Sequence, residues 1–160
     1  MTAAGNTEEF VAVVRAERDE AAAFVALLKA EQQALRDGSA VDVERLAPAK
    51  SRMADSLSAH TAKRLAFLDA LGYAPDTRGM HEWAHAHADH STTVTAWKTL
   101  QGHAAEAHAL NEANGKIIDL RLRHCRQALA ALKQASGLTT LYDPQGQTAP
   151  LAPSRPLSAA

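Results

Sequence analysis

The sequence has little of what would build a disulfide scaffold, a membrane span or a nucleic-acid interface. Cys125 is the only cysteine among 160 residues, which excludes an internal disulfide. No apolar run approaches the roughly 20 residues that cross a bilayer, and the polar start lacks the basic and apolar regions of a signal peptide. With 17 basic and 18 acidic residues, the chain has no excess of positive charge for binding phosphates. We therefore expect a cytoplasmic protein that neither inserts into a membrane nor binds nucleic acid.

Strand-type patterning is also scarce. β-Branched residues cluster only at 92–95, and that cluster is short. Helical periodicity instead covers three long runs, and 160 residues suffice for one hydrophobic core. The sequence predicts an all-α fold, an elongated antiparallel three-helix bundle or coiled coil. We expect a helical domain over residues 1–137 and a flexible C-terminal binding tail over residues 138–160.

Capping residues and glycines mark the first two helical runs. Asn6 is the predicted cap of the first run, which ends before Gly38. The second run begins near Asp42, has Pro48 early, and ends at Gly72, which is placed for a left-handed residue. The positions of the first run that are predicted to face other helices, here called its seam, are Phe10, Val14, Glu17, Ala21, Phe24, Leu28, Glu31 and Leu35.

A short helix and a much longer one follow. The short helix is predicted over residues 80–90, capped by Asp76 or Thr77. The long run extends from about residue 91 to Ser136. At 1.5 Å per residue it would be roughly 65 Å long, which is why an elongated molecule is expected.

The long run contains an unusual segment, in which Asn111, Asn114 and Gly115 interrupt an alanine-rich helix. Both asparagines fall on the seam of this run, as does Cys125, for which we expect a packed thiol. A polar seam residue lowers stability but fixes register and choice of partner, because a slipped pairing leaves its amide unsatisfied. Gly115 would let another backbone approach closely. Alternatively, both amides face water where the helix rotates out of the bundle. Under the first interpretation, leucine at both asparagine positions should raise thermal stability.

The pentad His81-Glu82-Trp83-Ala84-His85 matches the HExxH motif of zinc peptidases, in which two histidines bind zinc and the glutamate acts as the base. Such an enzyme also needs a third ligand and a surface that holds an extended substrate, commonly a sheet edge, and no strand is predicted here. Incidental metal binding by His81, His85, His87 and His90, or plain solvation of them, is favoured over catalysis. We therefore predict no catalytic residue, no metal centre and no cofactor.

With three helical runs, the Asn-x-x-Asn-Gly segment and a tail that contains Leu-Tyr-Asp-Pro-Gln-Gly, the chain resembles the FlgN family of flagellar export chaperones. The resemblance covers most of the chain, and the histidine-rich stretch 81–90 is not part of it. The residues that carry it are Lys50, Arg64, Leu71, Gly72, Trp97, Leu100, Asn111, Asn114, Gly115, Ile118, Tyr142 and Gly146.

The resemblance implies a non-enzymatic chaperone of type III export. It would bind hook-filament junction proteins, keep them soluble and unassembled, and deliver them to the membrane protein of the export gate. Tyr142 would dock at the gate or, alternatively, pack back on the bundle. The expected cargo-binding residues lie in the second half of the long helix and in the tail, at Ile118, Leu122, Leu129, Leu132, Leu138 and Leu141.

Three further points stay open from sequence. The cargo-free protein could form a homo-oligomer. A structural coiled-coil adaptor without a role in secretion would show the same helical pattern. A zinc hydrolase that uses His81, Glu82 and His85 is the remaining and least favoured alternative.

Overall fold

The computed structural model describes residues 3–89 and 91–136, with side chains from Thr7 onward. It contains helices α1 (Ala3–Asp37), α2 (Ala40–Ala70), α3 (Thr77–Ala86) and α4 (Ser91–Ala135). No strand occurs in these two ranges, so the all-α prediction is confirmed. Contacts divide the chain within α4 into a unit that ends at Ile118 and a unit that begins at Asp119. The predicted boundary at residue 137 and the tail after it lie outside the described residues.

Helices α1 and α2 form an antiparallel hairpin with a tight turn. Gly38 adopts φ +77°, and the next backbone N–H, of Ser39, donates to the carbonyl of Ala34, which is the Schellman end of a helix. Ser39 then caps α2, because its Oγ accepts from the N–H of Asp42 and donates to that carboxylate at 2.6 Å. The Ser39 hydroxyl and Arg45 hold the pKa of Asp42 below its ordinary value.

Two predicted helix starts are therefore wrong. Ser39 and not Asp42 is the cap of α2, and Asp42 lies in the first turn instead. Helix α1 begins at Ala3, so Asn6 lies inside it. Serine and aspartate both favour capping positions, and the left-handed Gly38 decides between them because it ends α1 directly before Ser39.

The end of α2 at Gly72 and the cap of α3 at Asp76 agree with the sequence. Gly72 has φ +82°, and the N–H of Tyr73 donates to the carbonyl of Leu68 at 2.9 Å. Asp76 caps α3 by accepting from the N–H of Gly79 at 2.9 Å. The α2 end and the Asp76 cap are confirmed, but the predicted bounds 80–90 are wrong, because the helix begins directly after its cap and spans Thr77–Ala86.

The core of the first unit lies where α3 and the start of α4 meet the hairpin. On α3, Trp83 is buried with its ring edge-on to Phe10 of α1, at 4.8 Å between centroids. Aromatic pairs of this geometry contribute about 0.5–1.5 kcal/mol beyond the area they bury. The seam of α1 is buried as predicted except for Phe24, which is half-buried. The cluster comprises Phe10, Val14, Ala21, Leu68, Met80, Trp83, Ala96, Trp97 and Leu100.

The connection before α3 leaves no room for a side chain at Gly79. A Cβ atom there would overlap the backbone carbonyl of Ala74. We expect Gly79→Ala to lower the free energy of unfolding by about 1–3 kcal/mol, because backbone and not a flexible side chain must move. Gly102→Ala is the matched control, since an added Cβ there meets nothing within 4 Å, and it should raise stability by about 0.5–1 kcal/mol. Urea unfolding measures both, and equal stability of the two variants would contradict this account.

Candidate functional site

Two acidic side chains lie inside the bundle on the seam of α1. Glu17 and Glu31 are 3% and 4% exposed. Removing a carboxylate from water costs several kcal/mol unless it is paired and hydrogen-bonded. Each glutamate therefore needs partners from the neighbouring helices.

The first glutamate joins α1 to α2 and α4. Glu17 accepts from Arg64 Nε at 2.6 Å and from Thr61 Oγ1 at 2.7 Å, both on α2. The Arg64 guanidinium lies 4.8 Å from the ring centre of Trp97 on α4. Arginine suits this place because it can pair with a carboxylate and contact an aromatic face at once.

The second glutamate joins the same three helices. Glu31 accepts from Lys50 Nζ at 2.9 and 3.1 Å and from Asn114 Nδ2 at 2.8 Å. Asn114 is fully buried, and its Nδ2 is also 3.0 Å from the carbonyl of Leu28. Its Oδ1 has no hydrogen-bond partner among the described residues.

The two groups are here called polar layers: one is formed by Glu17, Thr61 and Arg64, and the other by Glu31, Lys50 and Asn114. A single alignment of α1 with α2 forms both. Glu17 and Glu31 are 14 residues apart, as are Lys50 and Arg64, which corresponds to about 21 Å along each helix. In an antiparallel hairpin both ion pairs therefore form together, and a slip of one turn would break both. Asn114 contacts the later glutamate, whereas Trp97 lies over the partner of the earlier one, so this part of α4 runs parallel to α1.

The end of α4 presents apolar side chains to solvent. Side chains of residues 119–136 are all exposed, including Leu122, Leu129 and Leu132 at 46%, 57% and 65%. Together with Ile118, at 41%, and Cys125, they repeat at alternating spacings of four and three residues and therefore share one face. This face, here called the apolar stripe, comprises Ile118, Leu122, Cys125, Leu129 and Leu132. Large exposed apolar surfaces of this kind mark sites of interaction.

Comparison with protein families assigns this chain to a family. The family described as FlgN protein matches residues 1–150, nearly the whole chain. The chain belongs to the FlgN family. Comparison with curated proteins and with solved structures finds no match. The family assignment confirms the resemblance found in the sequence, and with it the general role of a flagellar export chaperone.

Four residues that carried the FlgN resemblance meet in the polar layers. Lys50, Arg64 and Asn114 hydrogen-bond to the two glutamates of α1, and the Trp97 ring lies against Arg64. Sequence reasoning missed the role of these glutamates, although they lay on the predicted seam. The available signal was an acid that twice replaces an apolar residue on an otherwise apolar seam.

The structure separates the two asparagines of the FlgN segment. Asn114 is buried, but Asn111 is exposed, on an open groove that Phe24 and Ala107 also line. An added Cβ at Gly115 meets nothing within 4 Å among the described residues, so the close backbone approach expected there is not observed. Cys125 is likewise exposed and not packed. The spacing pattern predicted burial wrongly at Asn111 and Cys125. Periodicity shows which residues share a face of α4, but it does not show whether another helix covers that face.

The remaining predicted cargo and gate residues of the FlgN chain divide between two regions. Ile118, Leu122, Leu129 and Leu132 lie on the apolar stripe, as described above. Leu138, Leu141 and Tyr142 lie outside the described residues. Leu120, which the sequence analysis did not select, is 46% exposed, on the side of α4 opposite the apolar stripe.

The zinc-peptidase pentad lies on α3. His81 and His85 are exposed, while Glu82 forms an ion pair with Arg78 at 2.9 Å. This pairing raises the pKa of Arg78. Over residues 3–89 and 91–136, no three histidine, cysteine or acidic side chains form a group that could hold a metal ion.

The other histidines near the pentad differ from it in setting. His87 stacks on Trp83 with 4.7 Å between ring centres, and its Nδ1 is 2.9 Å from the Trp83 carbonyl. The ring therefore packs on its own helix. His90 lies outside the described residues. In the described part of the chain, no helix is both long and apolar enough to cross a membrane.

The buried amide of Asn114 yields a direct test of the polar layer. We expect Asn114→Ala to lower the free energy of unfolding by about 1.5–3 kcal/mol, because hydrogen bonds to charged groups contribute about that much. Asn114→Leu should also destabilise, in contrast to the expectation from sequence, since leucine cannot donate to Glu31. Asn111→Ala is the control, and its exposed site should change stability by less than about 0.5 kcal/mol. Chemical denaturation measures both variants. Equal free energies of unfolding for Asn114→Ala and Asn111→Ala would contradict a stabilising role of the Asn114 hydrogen bonds.

Proposed function

We propose that this chain is a cytoplasmic chaperone that binds hook-filament junction proteins, keeps them soluble and unassembled, and delivers them to the membrane protein of the export gate. Membership of the FlgN family supports the general export role. The observation that supports cargo binding is the apolar stripe, whose leucines and isoleucine are 41–65% exposed.

The chemistry of the stripe fits a helical segment of cargo. Subunits that assemble through terminal helices expose an apolar face before assembly. Covering such a face against another helix buries leucines on both sides, each worth about 1.5–3 kcal/mol when fully buried. A chaperone that offers a matching stripe would keep the cargo from premature assembly and from aggregation.

The layout of α4 supports a division between anchoring and binding. Trp97 and Asn114 attach the helix to the hairpin through the two polar layers. The following residues, 119–136, place every side chain in solvent. Because these residues are helical as far as Ala135, cargo would bind to a preformed helix and would not need to order it.

The leucines of the stripe provide the test of cargo binding. We expect the double variant Leu129→Ala, Leu132→Ala to weaken binding of a purified junction protein at least about tenfold, because two apolar anchors are lost. Leu120→Ala, on the opposite side of the same helix, is the control and should leave the dissociation constant unchanged. Alanine favours helix, so circular dichroism should show unaltered helical content for both. Equal weakening by the control, or unchanged binding by the double variant, would refute cargo binding on this face.

The tail residues carry the proposal for delivery. Tyr142 would dock at the export gate, and Leu138 with Leu141 would add cargo anchors. We expect Tyr142→Ala to abolish retention by the purified soluble part of the gate protein while the affinity for a junction protein is unchanged. The double variant Leu138→Ala, Leu141→Ala should weaken binding of a junction protein and leave retention by the gate protein unchanged. If Tyr142→Ala instead lowers thermal stability and leaves gate retention intact, the tyrosine packs on the bundle and the docking proposal is wrong.

A further inference from the structure

The exposed end of α4 carries an unbalanced charge. The whole chain has a net charge of −1, yet residues 119–136 contain four bases and one acid, Asp119, with His124 taken as neutral. The four bases are Arg121, Arg123, Arg126 and Lys133. Among the described residues, none of these four bases forms an ion pair with a carboxylate, because the ion pairs there are formed by other lysines and arginines. A basic segment with unpaired charges therefore surrounds the apolar stripe.

Three of these bases border the stripe directly. Arg126 and Lys133 follow Cys125 and Leu132 by one residue and lie along one edge, and Arg121 precedes Leu122 by one residue and lies along the other. In the notation of a coiled coil, the stripe occupies positions a and d, and these bases occupy positions e and g. Charges at e and g set which helix can pair with such a stripe.

In either orientation, self-pairing of the stripe would bring at least one pair of like charges together. In a parallel pair, Arg121 of one copy would face Arg126 of the other. In an antiparallel pair centred on the stripe, equivalent edges meet, so Arg126 would face Arg126 of the other copy, whereas Lys133 would face Asp119. A parallel second copy of this chain is therefore a poor occupant of the stripe, and an antiparallel copy would still leave Arg126 facing its own equivalent.

We propose that the stripe binds an amphipathic helix of a different protein, one whose apolar face is flanked by glutamate or aspartate. This inference rests on the proposed function, since it specifies the chemistry of the cargo segment, and it assigns Arg121, Arg126 and Lys133 as determinants of specificity. The leucines provide the apolar contact, and the bases select among helices that have the same apolar spacing.

The test uses the full chain and two synthetic amphipathic peptides of about three heptads. Both have leucine at a and d, and they differ only in glutamate or lysine at e and g. At low salt, the glutamate peptide should bind about tenfold or more tightly than the lysine peptide, because about three exposed ion pairs replace three repulsions. At about 0.5 M salt the difference should shrink, since exposed charges are screened. Equal affinities, or no binding of either peptide, would overturn the inference.

Two variants with matched charge locate the effect. Arg121→Gln, Arg126→Gln, Lys133→Gln should lose the preference for the glutamate peptide. A control that removes three exposed bases elsewhere, Arg36→Gln, Arg52→Gln, Lys98→Gln, should keep it. Loss of the preference in both variants would mean that overall charge and not the stripe selects the peptide. Sedimentation that showed a dimer of the free chain, dissociated by Leu129→Glu, would also overturn the inference in favour of a second copy.

The outcomes distinguish this inference from the function on which it rests. If junction proteins bind the triple stripe variant as tightly as the unmodified chain, cargo binding stands and the charge selection is wrong. If the glutamate peptide binds the stripe but no junction protein does, the charge selection stands and the proposed cargo is wrong.

Discussion

The bundle depends on two carboxylates that cannot remain buried alone. Glu17 and Glu31 lie inside the first unit, where an unpaired charge would cost several kcal/mol. Arg64 and Lys50 neutralise them from α2, and Trp97 and Asn114 bring α4 to the same two levels. Apolar contacts alone would allow the helices to slide by a turn, whereas these partners satisfy the charges in one alignment only. The ion pairs thus specify the arrangement even where a pair of apolar residues would be equally stable.

Much of the fold could be predicted from the sequence because its signals are local. The helices follow from periodicity, and the ends at Gly72 and Asp76 follow from the chemistry of caps. The cap at Ser39 was missed because the preceding glycine, and not the capping residue itself, sets where α2 begins. The exposure of Asn111 and Cys125 could not be predicted, because periodicity shows which residues share a face and not which face is covered.

The candidate site shows the same limit in another form. The apolar stripe could be predicted from spacing together with the family resemblance. Four of its five positions were predicted, and Cys125 was the exception. The partners of Glu17 and Glu31 could not, since Lys50, Arg64 and Asn114 are distant in sequence and meet only in the folded chain. The resemblance to the FlgN family had already singled out these three residues without a reason. The structure gives them a role in the architecture, because all three hydrogen-bond to the buried glutamates.

The two polar layers differ in how well water is kept out. The side chain of Arg64 is 9% exposed, but that of Lys50 is 27% exposed. The lysine layer is also the one nearer the turn at Gly38, where Val41 is 76% exposed. Water can therefore solvate the opened lysine layer at lower free-energy cost than the arginine layer. The hairpin is thus expected to be less stable at the end near the turn than at the Glu17 end. Local opening of backbone hydrogen bonds would therefore begin more easily at the turn than at the Glu17 end of the hairpin.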